Sequence, residues 1–212
     1  MSIAENLNRI KASLPEHVTL VAVSKTKPIS DVMEAYNTGQ RVFGENKIQE
    51  MTEKWEVLPK DIKWHMIGHV QRNKVKYMAS YVSLIHGVDS FKLLKEIDKQ
   101  AKKKKRKIDC LLQVHIAEEE TKFGLNQSEL TEIITSINLG ELLNIRVLGL
   151  MGMATFTEDD NQIRKEFRYL KSLFDKTKNI IPVLSILSMG MSGDYKIAIE
   201  EGSNLVRIGS SI

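Results

Sequence analysis

Lys25 stands where an apolar β-type run, Thr19-Leu20-Val21-Ala22-Val23-Ser24, gives way to Thr26-Lys27-Pro28. An amine placed where a buried strand opens into a loop can be partly desolvated, which lowers a lysine pKa and makes the amine available as a nucleophile toward aldehydes. On position alone the same lysine reads more readily as a solvated strand-end residue. Two later segments are rich in Gly and Ser: Ser188-Met189-Gly190-Met191-Ser192-Gly193-Asp194, and Gly209-Ser210-Ser211. Glycine lets backbone approach an anion, serine adds a hydroxyl donor, and the first segment leads straight into a short helix whose start has free N–H groups. Either segment alone reads as an ordinary turn. Taken together they suggest a phosphate site, and with Lys25 a phosphorylated aldehyde as ligand. Arg207 lies two residues before Gly209. Pointing inward, it could meet a heteroaromatic nitrogen, and because arginine stays protonated it would keep a pyridine nitrogen unprotonated.

These residues need elements to bring them together, and the hydrophobic period supplies them. After an amphipathic segment over Ile3 to Ser13, short apolar runs alternate with helical patterns along the whole chain. Strands are predicted at Leu20 to Ser24, Arg41 to Gly44, Trp64 to Gly68, Val82 to His86, Cys110 to Ile116, Arg146 to Leu150, Val183 to Leu187 and Asn204 to Ile208. A helix falls in each gap between them. Ser30 or Asp31, Asp89 or Ser90, and Ser128 are candidate caps, and Gly39 and Gly202 are candidate stops. Short uniformly apolar strands are those of a parallel sheet buried on both faces. The expected closure is a (β/α)8 TIM barrel forming a single domain over residues 1–212. An open doubly wound sheet is the alternative, and the absence of a Gly-x-Gly-x-x-Gly segment after strand one speaks against it. No helical pattern follows strand eight, so the N-terminal segment is expected to cover that side. In a barrel, Lys25, Asn46, the segment from Glu118 to Gly124 and both Gly/Ser segments all fall at the carboxyl ends of strands. Phosphate commonly binds there after strands seven and eight.

The bulk properties exclude several classes. The chain has 212 residues, 42% of them hydrophobic and 27% charged, with a formal net charge of +4, which suits one soluble globular domain. No apolar stretch has the length of a membrane span, and the N-terminus lacks the pattern of a secretory signal. The single cysteine, Cys110, cannot form an internal disulfide and reads as a buried strand residue. These features point to a cytoplasmic protein. No Cys/His cluster has metal-site spacing. The basic run Lys102 to Lys107 lacks interleaved aromatics and closes a helix, where cations complement the dipole; it reads as a solvated helix end, with nucleic acid not expected as a partner.

Several segments resemble those of the pyridoxal-phosphate homeostasis protein family, related to the N-terminal barrel of alanine racemase. They are Val21-Ala22-Val23-Ser24-Lys25-Thr26, Phe43-Gly44-Glu45-Asn46-Lys47-Ile48-Gln49-Glu50, Trp64 to Lys74, Thr121-Lys122-Phe123-Gly124, Gly149 to Met153, Leu187 to Asp194, and Val206-Arg207-Ile208-Gly209-Ser210. Their order and spacing are specific, and they span nearly the whole chain. The resemblance implies a fold-type III barrel holding pyridoxal 5′-phosphate (PLP) as a Schiff base on Lys25. It implies Asn46 beside the cofactor, Met191, Ser192, Gly209 and Ser210 at the phosphate, Arg207 facing the pyridine nitrogen, and Lys122 near the mouth. The family is regarded as a PLP carrier or regulator in vitamin B6 balance, with PLP-requiring apo-enzymes as possible recipients. No robust turnover is expected, and a monomer or weak dimer is expected. This chain departs from the family at Ser210, where Thr is common, and at His69-Val70, which leaves His69 without an implied role.

Other functions compete. A PLP-dependent amino-acid racemase would need a second acid–base group, which alanine racemase draws from an added domain. A cofactor-free Schiff-base aldolase also uses a barrel lysine. His65, alternating with Trp64 and Met66, reads as readily as a satisfied core histidine as a group near the ligand. Asn46 by itself reads as a helix cap, and Lys27 and Lys47 as solvated.

Overall fold

The structure is a computed structural model that describes residues 2–119, 123–138 and 140–212. Eight parallel strands close into a barrel in sequence order, β1 to β8. They are β1 Thr19–Val23, β2 Val42–Glu45, β3 Lys63–Met66, β4 Leu84–Val88, β5 Ile108–Gln113, β6 Ile145–Met151, β7 Ile186–Ser188 and β8 Leu205–Ile208. Closure is made by β1 against β8, with Val21 opposite Arg207 and Ala22 opposite Ile208. The open-sheet alternative is thereby excluded.

Helices fill the gaps: α2 Ile29–Asn37, α3 Ile48–Val57, α4 Val75–Met78, α5 Phe91–Lys103, α6 Gln127–Asn138, α7 Asp160–Lys178 and α8 Tyr195–Glu200. A 3-10 turn, Arg72–Lys74, precedes α4, so the single helix expected from Arg72 to Ala79 is two shorter pieces. Helix α1, Ile3–Ser13, opens on a reciprocal cap in which the Ser2 hydroxyl accepts from Glu5 N–H and the Glu5 carboxylate accepts from Ser2 N–H. It takes the place of a helix after β8, with Asn6 Nδ2 donating to the Ile212 carbonyl at 3.2 Å.

Several boundaries differ from expectation for local reasons. Strand β4 starts two residues late because Val82 N–H closes the turn after α4 on the Met78 carbonyl. Strand β7 is only three residues, and Val183 is exposed because Leu184 N–H turns back onto Ile181. Helix α2 has Pro28 at its N-cap with no side-chain bond, so neither Ser30 nor Asp31 caps it. Asn126, not Ser128, opens α6, exchanging bonds with Glu129 in both directions. Ser90 caps α5 as expected, accepting from Leu93 N–H.

The core has two parts. A large shell between strands and helices holds Trp64, Phe43, Phe167 and Met51, all buried. A smaller cluster, Val21, Leu84, Leu111, Met151 and Leu205, fills the barrel interior. Cys110 is buried on β5, and burial raises its thiol pKa. The basic run ends α5 and its turn: Arg106 donates to the carbonyls of Ala79 and Val82, and Lys105 has φ +52°.

Candidate functional site

On three of the strands, two residues from the apolar barrel layer toward the carboxyl end, the interior becomes polar. The step runs from Leu84 to His86, from Ile186 to Ser188 and from Leu205 to Arg207, because alternate residues share a face. His65, on β3, belongs to the same layer. All four are buried. Arg207 Nη1 donates to Ser188 Oγ at 2.6 Å and to the Ser188 carbonyl at 3.1 Å, and Nη2 donates to the Gly152 carbonyl at 3.1 Å. Ser188 Oγ lies 3.1 Å from His86 Nδ1, and His86 Nε2 lies 3.0 Å from His65 Nδ1. One proton order uses every group: Ser188 accepts from Arg207 and donates to His86, whose Nε2–H donates to His65.

Electrostatics keep that order. Burial and the Lys63 charge lower the His65 pKa to about 3, and burial with the His65 and Arg207 charges holds His86 well below its usual value. Both rings are therefore neutral at physiological pH. Burial also lowers Arg207 to about 10, against the pull of Asp194, so the guanidinium remains a cation. Among the described residues no carboxylate lies within ion-pair distance of it.

Above Arg207 the loops after β7 and β8 are joined. Gly209 N–H donates to Ser192 Oγ at 3.2 Å, and Arg207 N–H donates to the Gly190 carbonyl at 3.0 Å. Gly190 has φ +97°, and a Cβ there would stand 2.6 Å from Ala198 Cβ and 2.9 Å from Tyr195 Cα, so only glycine suits the turn. A Cβ on Gly209 would meet Val23 Cβ at 3.0 Å, which places Gly209 beside Val23 on the neighbouring strand. Met191 is exposed at the rim, and its N–H is held by Asp194 Oδ1 at 2.6 Å. Ser210 is exposed.

Of the two readings of Lys25, the structure bears out the solvated strand-end one. Lys25 lies in an exposed turn beyond the end of β1, where water reaches it. It follows β1 at the carboxyl end of the barrel. Asn46 follows β2 and is half-buried, and Gly68 packs on its backbone, where a Cβ would be 2.5 Å from the Asn46 carbonyl oxygen. Asn46 does not cap α3, whose N-cap is Lys47. The expected residues thus occupy one arc of the rim, β7–β8–β1–β2, which is consecutive in the barrel. Lys122 lies outside the described residues. Lys27 and Lys47 are exposed, and His69 pairs with Asp89 at 3.0 Å and stacks on Phe123.

The chain matches the family model described as "Alanine racemase, N-terminal domain" over residues 1–212. A pyridoxal phosphate homeostasis protein of Aquifex aeolicus is 43% identical over 193 residues, covering 90% of this chain and 84% of the relative. The protein of that name from Escherichia coli is 33% identical, covering 99% and 95%. The chain belongs to the pyridoxal phosphate homeostasis protein family. PipY of Synechococcus elongatus superposes with a TM-score of 0.93 at 33% identity without PLP, and with 0.91 at 32% identity with PLP bound, each over 99% of both chains. An alanine racemase of Clostridium difficile shares the fold, with a TM-score of 0.82 at 17% identity over 99% of this chain and 56% of its own length.

In the sequence Ser188 appears only as the start of a Gly/Ser segment and His86 only as the end of a strand, and neither they nor the buried Glu45 and Lys54 carry a role of their own there. Their signal was present: a His two residues after Leu84 and a Ser two after Ile186 on apolar strands are polar groups set on an interior face.

Proposed function

We propose that this member of the family binds PLP at the β7–β8–β1–β2 arc and serves intracellular PLP homeostasis as a carrier or regulator. The observation that carries the reading is Arg207: a buried guanidinium, hydrogen-bonded on two sides and unpaired with any described carboxylate, directly below two stitched Gly/Ser loops. Its fixed donors suit an unprotonated pyridine nitrogen. The hydroxyls of Ser192 and Ser210 and the backbone at Met191 and Gly209 suit the phosphate, although an anion at Met191 would displace the Asp194 carboxylate from its N–H. Lys25 supplies an accessible amine for the aldehyde, and Asn46 flanks the ring.

When bound, PLP offers an aldehyde for covalent capture by amines and, with a protonated ring nitrogen, an electron sink. Arg207 is donor-only and cannot accept a hydrogen bond from a protonated ring nitrogen, so the sink is weak. Low turnover follows, and carriage or regulation is favoured over racemisation. The same reading takes PLP-requiring apo-enzymes as recipients, a cytoplasmic setting, and a monomer or weak dimer. It expects no membrane or nucleic-acid partner. No helix among the described residues is long and apolar enough to cross a membrane.

The test is spectroscopic. Protein mixed with PLP is expected to develop an absorbance band above that of free protein, and borohydride should fix the pyridoxyl group on Lys25. Lys25→Ala should lose the covalent product while retaining weak binding through the phosphate loops. A protein that stays colourless with added PLP would sink the reading, and robust racemisation of free amino acids would overturn the regulator assignment.

A further inference from the structure

The turn that carries Lys25 is held by a buried ionic cluster from the next β/α unit. Lys54, on α3, is buried, and its Nζ donates to the Ser24 carbonyl at 2.7 Å, to Glu45 Oε1 at 2.7 Å and to Glu50 Oε1 at 2.8 Å. Glu45 Oε1 also accepts from Ser24 Oγ at 2.6 Å, and Glu50 Oε1 accepts from Thr26 N–H at 2.6 Å. Both neighbours of Lys25 are therefore gripped. Ser24 is held at its N–H, hydroxyl and carbonyl, since its N–H also donates to the Gly44 carbonyl. Thr26 is held at its N–H and has φ +62°, a left-handed conformation that a β-branched residue resists.

An ordinary strand end does not require this. The side chain of Glu45 is fully buried, and its Oε2 has no partner. Burying Lys54 and Glu45 and leaving one carboxylate oxygen unsatisfied is costly, and a strained Thr26 adds to it. A hydrophobic contact would close the same turn more cheaply. What the cluster adds is direction. With Ser24 and Thr26 fixed, the Cα–Cβ bond of Lys25 has a set heading, while the Lys25 amine has no hydrogen-bond or ion-pair partner among the described residues.

We infer that Lys54, with Glu45 and Glu50, is a positioning device for Lys25: it holds the base of that side chain so that the amine meets an aldehyde at the barrel mouth. This rests on the cofactor reading above and extends it to the covalent step. In that step the Lys25 nitrogen bonds to the aldehyde carbon, the carbonyl oxygen leaves as water, and the amine protons pass to that water and to solvent.

The experiment separates capture from binding. Pyridoxamine 5′-phosphate keeps the ring and phosphate but has no aldehyde, so it reports the site without Lys25. Lys54→Met and Glu50→Ala are expected to slow covalent capture of PLP by at least about tenfold, the scale set by misplacing a reacting group. Both should leave pyridoxamine 5′-phosphate affinity within about twofold. Glu50 is partly exposed, so Glu50→Ala serves if Lys54→Met fails to fold. Capture at the wild-type rate in a folded variant overturns the inference, as does a matching loss of pyridoxamine 5′-phosphate affinity, which would mark a merely structural role. A wild type that takes no PLP onto Lys25 overturns the cofactor reading instead. In that case amide exchange without ligand decides: Glu50→Ala should speed exchange at Thr26, and unchanged exchange there dismisses the clamp.

Discussion

Arg207 and the two histidines behind it show how single residues set the character of the mouth. The guanidinium is charged, buried and donor-only, so it orders the protons of Ser188, His86 and His65 in one direction. The histidines remain neutral chiefly because they are buried, and this has a measurable cost in acid. His65 titrates near 3 when folded and near 6.5 when unfolded. Between those values the unfolded chain holds a proton that the folded one refuses, so stability is fully present above the upper value and declines as pH falls toward the lower. For His65 alone the loss by pH 5 is on the order of 2 kcal/mol. Denaturant unfolding measured from pH 7 to pH 5 should show this slope, and His65→Gln should flatten it. An unchanged slope in the variant would mean that the ring does not carry the effect.

At the scale of elements, positions where backbones approach closely decide how strands can seat. Gly149 on β6 is the sharpest case: a Cβ there would stand 1.7 Å from the Ile186 carbonyl oxygen. This is backbone, which cannot swing away, and the β5–β6 register shift between Cys110 and Leu111 lies alongside. Gly149→Ala is expected to cost at least about 3 kcal/mol, the upper range of overpacking effects. Gly193→Ala, where a Cβ meets nothing within 4 Å, should be close to neutral. Comparing the two denaturation midpoints tests this, and a mild Gly149→Ala would show that the β6–β7 seam can open. Strand limits were less legible than strand existence. The late start of β4 and the short β7 follow from turns made by Val82 and Leu184 N–H groups, and no apolar period encodes such hydrogen bonds.

The whole molecule couples ligand to stability, because the proposed site joins loops from four consecutive strands across the β1–β8 closure. A ligand that binds only the folded barrel stabilises it by mass action, about 2.7 kcal/mol at a hundredfold excess over the dissociation constant. For a chain of this size that is a rise of roughly 5–10 °C in Tm. PLP should produce this shift in calorimetry, and Lys25→Ala should reduce it. A Tm indifferent to PLP would argue against a site spanning the closure.

The order of segments from Val21 to Ser210, and the alternation of apolar runs with helical ones, were enough to determine the barrel, the family and the order in which Lys25, Asn46, Ser192, Arg207 and Gly209 follow one another around the rim. Those properties are local or ordered along the chain, and a parallel barrel converts order along the chain into order around the rim. Tertiary structure alone decided that Lys25 is exposed rather than desolvated, that Arg207 is tied to neutral His86 and His65, and that Lys54 reaches back to Ser24. Solvent exposure, the pKa of a buried ring and a bond between α3 and the end of β1 depend on distances between residues far apart in sequence. Only closure of the fold sets those distances.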